Sequence, residues 1–399
     1  MANIPVKWAH SGMRGAPVIS GVAGSLIGAL RTFLITGFAP TAAVSATALD
    51  GIATIMLPSG QSFDEHAVVL LAGATTSGFN GEERVLTTAS DRITVATTAA
   101  NGPIAGSITV RYAPVGGWEE VLSKTNVSVF RSADPTGTRM FLRVDDTNAL
   151  FARVVGYETM ADVDTGTGPF PTPFQMSGGG YWHKSTTAGA AAVRWKMSGD
   201  GKFFNLAICP YVGSSSGDPT AAPARGFGDP IIRSPSGDAW SCVLSVSGTS
   251  SSNGSFATGA FDASSTSSIA SGATFCPRGF SGLGSSALID IRPFSGTRSS
   301  FSGADSFMGA LPSSIDGEIK TAGVFGLEQG SAAAPPRMVI PGVYFIPQSG
   351  AIGVLADGDI LQGSGVMTGK RLLVISTGGT SGSSAGRYLV DITGPNWRS

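Results

Sequence analysis

The residues able to do chemistry in this 399-residue chain are few and scattered. The three histidines, His10, His66 and His183, lie far apart and lack partners at metal-ligand spacing. Asp145 with Asp146, and Asp162 with Asp164, are the residue type of a glycosidase couple, which needs two carboxylates across a groove. Both pairs sit among turn-forming residues, where an aspartate accepts from nearby backbone N–H groups, and that local role is expected of them. The run DVDTGTG at 162–168 alternates carboxylates ahead of glycine as a calcium loop does, but it lacks the later bidentate glutamate. GGGYW at 178–182 and GSGVMTGK at 363–370 mimic phosphate loops. The second has the wrong glycine-to-lysine spacing, and a strand rather than a helix follows it. Cys209, Cys242 and Cys276 are odd in number and widely spaced, so buried free thiols are expected rather than a disulfide framework or a metal pair. Trp182, Trp195 and Trp240 invite a carbohydrate-binding reading, because sugars stack on exposed indoles. Each is flanked by alternating apolar residues, the pattern of a sandwich interior. No residue is assigned to catalysis, to a cofactor or to a metal.

The elements that would hold such residues are strands. The densest pattern runs from Trp118 to Pro173, where MFLRV (140–144) and FARVVGY (151–157) flank a turn containing Asp145, Asp146 and Asn148. This predicts a hairpin with apolar residues on both faces, so a further layer must cover it. Between 41 and 114, six β-rich runs are separated by DG, PSG, SGFNG, ASD and ANGP, which predicts a small sandwich or barrel. After 181 the β-rich runs continue to the carboxy terminus, closing on GPNW with Trp397 placed to tuck the terminus back. Nineteen of the thirty residues from 245 to 274 are Ser, Thr or Gly, which predicts a long surface loop.

The amino-terminal end differs. Residues 1–20 are punctuated by Pro and Gly and read as an extended arm. From Gly21 to Thr36, Val22, Leu26, Ile27, Leu30, Phe33 and Leu34 recur at helical spacing, with Ser20 as the expected cap and Gly37 as the stop. Two covers are open to this helix: the chain's own β-domain or a neighbouring subunit. The arm is poor in apolar residues, so Trp8 and the six helix residues are expected to form an assembly interface.

Composition narrows the class. Charged residues are 13% of the chain, about half the share usual for soluble proteins, while hydrophobic residues are 42%. A surface so poor in charge is coated by Ser, Thr and Gly or buried against other subunits, which suits an assembly component. The net charge of −1 gives no footprint for nucleic acid. The best candidate for a membrane span, SGVAGSLIGALRTFLITGF, is interrupted by Arg31, so no span is expected. MANIPVKWAH does not read as a secretory signal.

The run RSADPTGTRMFLRVDDTNALFARVVGYETMADVDTGTGPFPT, preceded by GWEEVLSKTN, resembles a family of uncharacterised tail proteins of tailed bacteriophages and prophages. The likeness extends to SGMRGAPVISGVAGSLIGAL, YWHKS, FGDPI and GRYLVDITGPNW. It implies a virion tail component at the tail tip or baseplate and brings no catalytic motif with it. The expected fold is mainly β: an arm and amphipathic helix (1–40), a small β-sandwich or barrel (41–115), and a larger β-sandwich region (116–399) with a Ser/Gly-rich loop near 245–280 as a possible division. The expected function is structural and non-enzymatic. The partners would be further copies, as a homotrimer or higher ring, and other tail proteins, in a virion assembled in the host cytoplasm. The rivals are a receptor binder recognising a host-surface glycan and a polysaccharide depolymerase.

Overall fold

The computed structural model describes residues 4–212, 222–251, 258–293, 300–304, 306–329, 335–378, 384–394 and 397–398. Among these residues it is mainly β, with 47% strand and 5% helix, and contains large antiparallel sheets, a curled half-barrel sheet and little helix.

All six runs between 41 and 114 form strands. They join Phe38–Ala42 and Gly102–Pro103 in an eight-stranded sheet. Alternation sets its faces: Ala46, Ala48, Ala53, Ile55, Ile93, Val95, Ile108 and Val110 point to one side and are buried, while their neighbours along each strand are more exposed. The larger sheet has eighteen strands among the described residues and includes two antiparallel meanders. One runs through Trp118–Lys124, Val127–Ser132, Phe141–Asp145, Phe151–Tyr157 and Gly180–His183. The other runs from Lys7–His10 through Arg194–Gly199, Phe203–Cys209, Ala224–Gly228, Val243–Ser247 and Gly272–Cys276 to Ala287–Pro293. Tyr181 pairs with Ser247 and joins them. The predicted hairpin is present, with Phe141 opposite Tyr157 and Asp145 opposite Arg153.

Several expectations are corrected. The arm does not extend from the body. Lys7–His10 is a strand of the large sheet, and Trp8 donates its indole N–H to the His66 carbonyl at 3.2 Å, tying that sheet to the segment leading into the eight-stranded one. The helix is shorter than its apolar pattern, Ser25–Arg31, followed by a wide turn at Thr32–Thr36. Gly37 ends that turn in the left-handed region at φ 69°, where a side chain would be strained. Ser20 is not the cap. It lies in the two-residue strand Ser20–Gly21, and Gly24 occupies the N-cap position with no side-chain bond.

The Ser-rich stretch is not a surface loop among its described residues. Residues 252–257 lie outside them. Val243–Ser247 and Gly272–Cys276 are buried strands that continue the large sheet through the expected division, and Ala263–Ser264, also buried, pairs with Ser300–Phe301 in a two-stranded sheet. Small polar residues can be buried here because their hydroxyls find carbonyls: Ser245 and Thr274 both donate to Gly259 at 2.7 Å, and Ser267 donates to Ile289 at 2.5 Å. Downstream, AIGV forms a single helical turn, Ala351–Val354, rather than a strand. Trp397 tucks back, packing on Gly342 and donating to the Asp391 carbonyl at 3.0 Å. No helix among the described residues is long and apolar enough to cross a membrane.

Candidate functional site

The seven residues expected at an interface are placed by the structure as follows. Trp8, Leu26, Ile27, Leu30, Phe33 and Leu34 are buried within the chain's own core, and only Val22 is exposed. The helix is therefore covered intramolecularly, and its apolar face is filled before any partner arrives. Arg31, on its outer side, makes a bidentate pair with Glu120 at 2.7 Å.

The helix start is held by a residue read as a turn former. Asp145 does fill that role, accepting from Thr147. Asp146 points inward instead, accepts from the backbone N–H groups of Leu26 at 2.8 Å and Ile27 at 3.3 Å, and forms a fully buried ion pair with Lys184. Lys184 also donates to the Val22 carbonyl at 2.7 Å. Burial pushes the Asp146 carboxyl up and the Lys184 ammonium down, each against the contact that favours its charge. The pair fastens the helix to the large sheet.

The other acidic pair stays local. Asp162 accepts from the N–H groups of Asp164 and Thr165, and Asp164 pairs with Lys124 and Arg143. His10 lies 3.5 Å from Asp64, which also accepts from the Tyr112 hydroxyl. Burial alone would raise the Asp64 carboxyl, but the bonds from His10 and Tyr112 outweigh it and hold it below the usual range. Burial pushes the Tyr112 phenol up, so it stays a donor. Trp182 and Trp195 are core residues, donating to Ser245 at 2.8 Å and Pro17 at 3.1 Å, while Trp240 is half-buried under the Arg278 guanidinium. All three cysteines are buried and outside any disulfide, and burial pushes the Cys276 thiol up to about 12.

His183 is nearly buried, and burial, with Arg225 nearby, pushes its pKa down to about 4. A histidine depressed from 6.5 favours the folded state most above pH 6.5, and this contribution falls as the pH drops towards 4. Its full loss is about 3 kcal/mol. Urea denaturation at pH 7 and pH 5 should show the drop, and His183→Gln should flatten it. An unchanged slope in that variant would assign the pH dependence to other groups.

A cleft of about 730 Å³ was not legible in the sequence. Its wall comes from the loop after Val127–Ser132, where Thr138 bonds Asp229 through both its N–H (2.7 Å) and its hydroxyl (2.5 Å). Burial raises the Asp229 carboxyl despite these bonds. Lys202 reaches Thr136 at 2.5 Å, and Arg398 bridges Asp200 and the Asp229 carbonyl at 2.8 and 2.6 Å. Asp238 is locked by Arg337 at 2.8 and 3.1 Å. Ser241 is buried, yet its hydroxyl has no hydrogen-bond partner among the described residues. These positions come together only through the sheet, so no local motif announces them. No family model matches the chain, and no curated protein matches it.

Proposed function

We propose that this chain is a structural component of a bacteriophage tail tip or baseplate, assembling with copies of itself as a homotrimer or higher ring and linking the tail to the adsorption apparatus. The resemblance of the central run and the low share of charge support this reading. The observation that carries it is where the exposed apolar side chains lie. Phe174 is fully exposed, and its loop is tied by Gln175 to Ser286 at 3.0 Å, beside exposed Phe280 and Leu283. A second group, including Phe307, Met308, Ile315 and Val366, lies on loops around a small separate core built on Leu311, Ile346 and Leu389. Exposed apolar side chains that gather on one surface mark an interaction site, and rotational symmetry lets one surface cover its equivalent on another copy. The loops take over the role that the helix was expected to play.

Light scattering of the purified chain at micromolar concentration should give a multiple of 40.4 kDa. Replacing Phe174, Ile315 and Val366 by aspartate should release monomers with unchanged circular dichroism. A clean monomer of the unaltered chain would overturn the assembly, and antibody labelling of particles away from the tail end would overturn the location.

A further inference from the structure

The two groups of exposed apolar side chains are held apart by the strand Ala322–Glu328. At its Glu328 end, Ile289 lies opposite Glu328 and Phe280 donates its backbone N–H to the Glu328 carboxylate at 2.9 Å. The loop carrying Phe280 and Leu283 therefore sits there, with the Phe174 loop tied to it. At the other end Ala322 lies opposite Phe345, Lys320 donates its N–H to Gln348 at 2.7 Å, and Met308 and Leu311 donate theirs to Pro347 and Ser349, each at 2.8 Å. This end holds Phe307, Met308 and Ile315, with Val366 beside Met367 of the same small core. Seven residues of strand at about 3.3 Å each put about 20 Å between the two ends, so the groups are two surfaces rather than one patch.

Their charges are complementary. Around the first surface three guanidiniums stand with three carboxylates: Arg278 pairs with Glu158 at 2.6 Å, and Arg337 with Asp238 at 2.8 Å and Glu328 at 3.3 Å. The third, Arg233, follows the exposed Ile232 and donates its backbone N–H to the Arg337 carbonyl, and its exposed side chain pairs with no carboxylate among the described residues. On the second surface Asp316 and Glu318 share the single ammonium of Lys320, at 2.5 and 3.2 Å, so one carboxylate is in surplus. The first surface thus offers an uncommitted cation, and the second carries an excess anion.

We propose that copies of the chain join through unlike surfaces: the surface of Phe174, Phe280 and Leu283 on one copy docks on the surface of Ile315 and Val366 on the next, with Arg233 opposite Asp316 and Glu318. This rests on the assembly reading above and gives it a direction. A two-fold pair lays a surface on its own equivalent, whereas a ring of three or more copies brings two different surfaces of the chain together at every contact. A pair formed on the first surface would leave the second uncovered. A pair formed on the second would bring together four carboxylates, two from each copy, with only two ammoniums, and like charges set face to face oppose association. The unlike contact covers both apolar groups at once and gives the surplus carboxylate a guanidinium.

The test uses two full-length variants, one with Phe174→Asp and Leu283→Asp, the other with Ile315→Asp and Val366→Asp. All four side chains are at least 78% exposed, so both variants should keep the circular dichroism of the unaltered chain. In analytical ultracentrifugation each alone should sediment as a 40.4 kDa monomer, and an equimolar mixture should form a dimer of twice that mass. Each variant keeps the surface that the other has lost, and the two altered surfaces stop further growth. Adding Arg233→Ala to the variant that keeps the first surface should weaken the mixed dimer about two- to fivefold, the loss of one exposed ion pair, and an unmoved affinity would overturn that pairing. Self-dimers of either variant would overturn the proposal in favour of contacts between like surfaces. So would a mixture that stays monomeric while the unaltered chain assembles. An unaltered chain that is itself monomeric would instead overturn the assembly, so the two failures are told apart.

Discussion

A chain lacking residues 1–36 is expected not to fold. The deletion removes Trp8, Leu26, Ile27, Leu30, Phe33 and Leu34, all buried in the common core. At roughly 1.5–3 kcal/mol for each side chain fully buried, the gross contribution of these six is on the order of 9–18 kcal/mol, an upper estimate that still rivals the 5–15 kcal/mol net stability of a typical domain. Polar losses add to it. Lys7, itself buried, donates to the Val115 carbonyl at 2.7 Å and pairs with Glu82 at 2.9 Å, and the strand Lys7–His10 covers the edge of Arg194–Gly199. The truncated chain should lack near-ultraviolet circular dichroism and a cooperative melting transition. A sharp melt with native near-ultraviolet signal would show that the arm is an appendage after all. Leu30→Ala gives a graded version, with an expected loss of about 2–5 kcal/mol in denaturant titration.

What the sequence made legible was whatever depends on neighbours along the chain. Strand alternation has a period of two, so Ala46 and Ala48, or Leu142 and Val144, declare a buried face within five residues, and the turns between them carry their own Gly and Asp signals. The helix pattern was equally visible in its apolar spacing. Its cover was not, because the cover is made by residues from distant parts of the chain, and poverty of apolar residues in the arm says nothing about which of them the sheets enclose. The Ser-rich stretch departs from its composition for a related reason. Composition reports hydrophilicity, but Ser245 and Thr274 enter the core by donating to a carbonyl fourteen or fifteen positions away, a bond with no sequence signature. The cleft was hidden in the same way: Thr138, Lys202, Asp229, Ser241 and Arg398 form one wall only after the sheet is built.

Lys184→Met is expected to destabilise the fold by about 3–5 kcal/mol at pH 7, the usual cost of leaving one member of a buried ion pair without the other. Asp146 and Lys184 are both fully buried, so the stranded carboxylate would have no water to turn to, and its remaining partners would be the N–H groups of Leu26 and Ile27. Adding Asp146→Asn should recover part of the loss. It removes the buried charge and keeps an oxygen at the helix start, so the double variant should be more stable than Lys184→Met alone. The pH dependence gives an independent check. Burial already raises the Asp146 carboxyl, and losing Lys184 raises it further, so protonation favours the folded variant. A group with a raised folded pKa stabilises below its unfolded pKa and loses that contribution as the pH rises through the folded value, so the cost of Lys184→Met should shrink as the pH is lowered from 7 towards 4. The His183 loss over the same range occurs in both proteins and cancels in the difference. Urea denaturation of the two chains at pH 7, 5.5 and 4.5 measures this directly. A cost independent of pH, or a double variant no better than the single one, would mean that Lys184 acts through packing of its aliphatic stem and not through its charge.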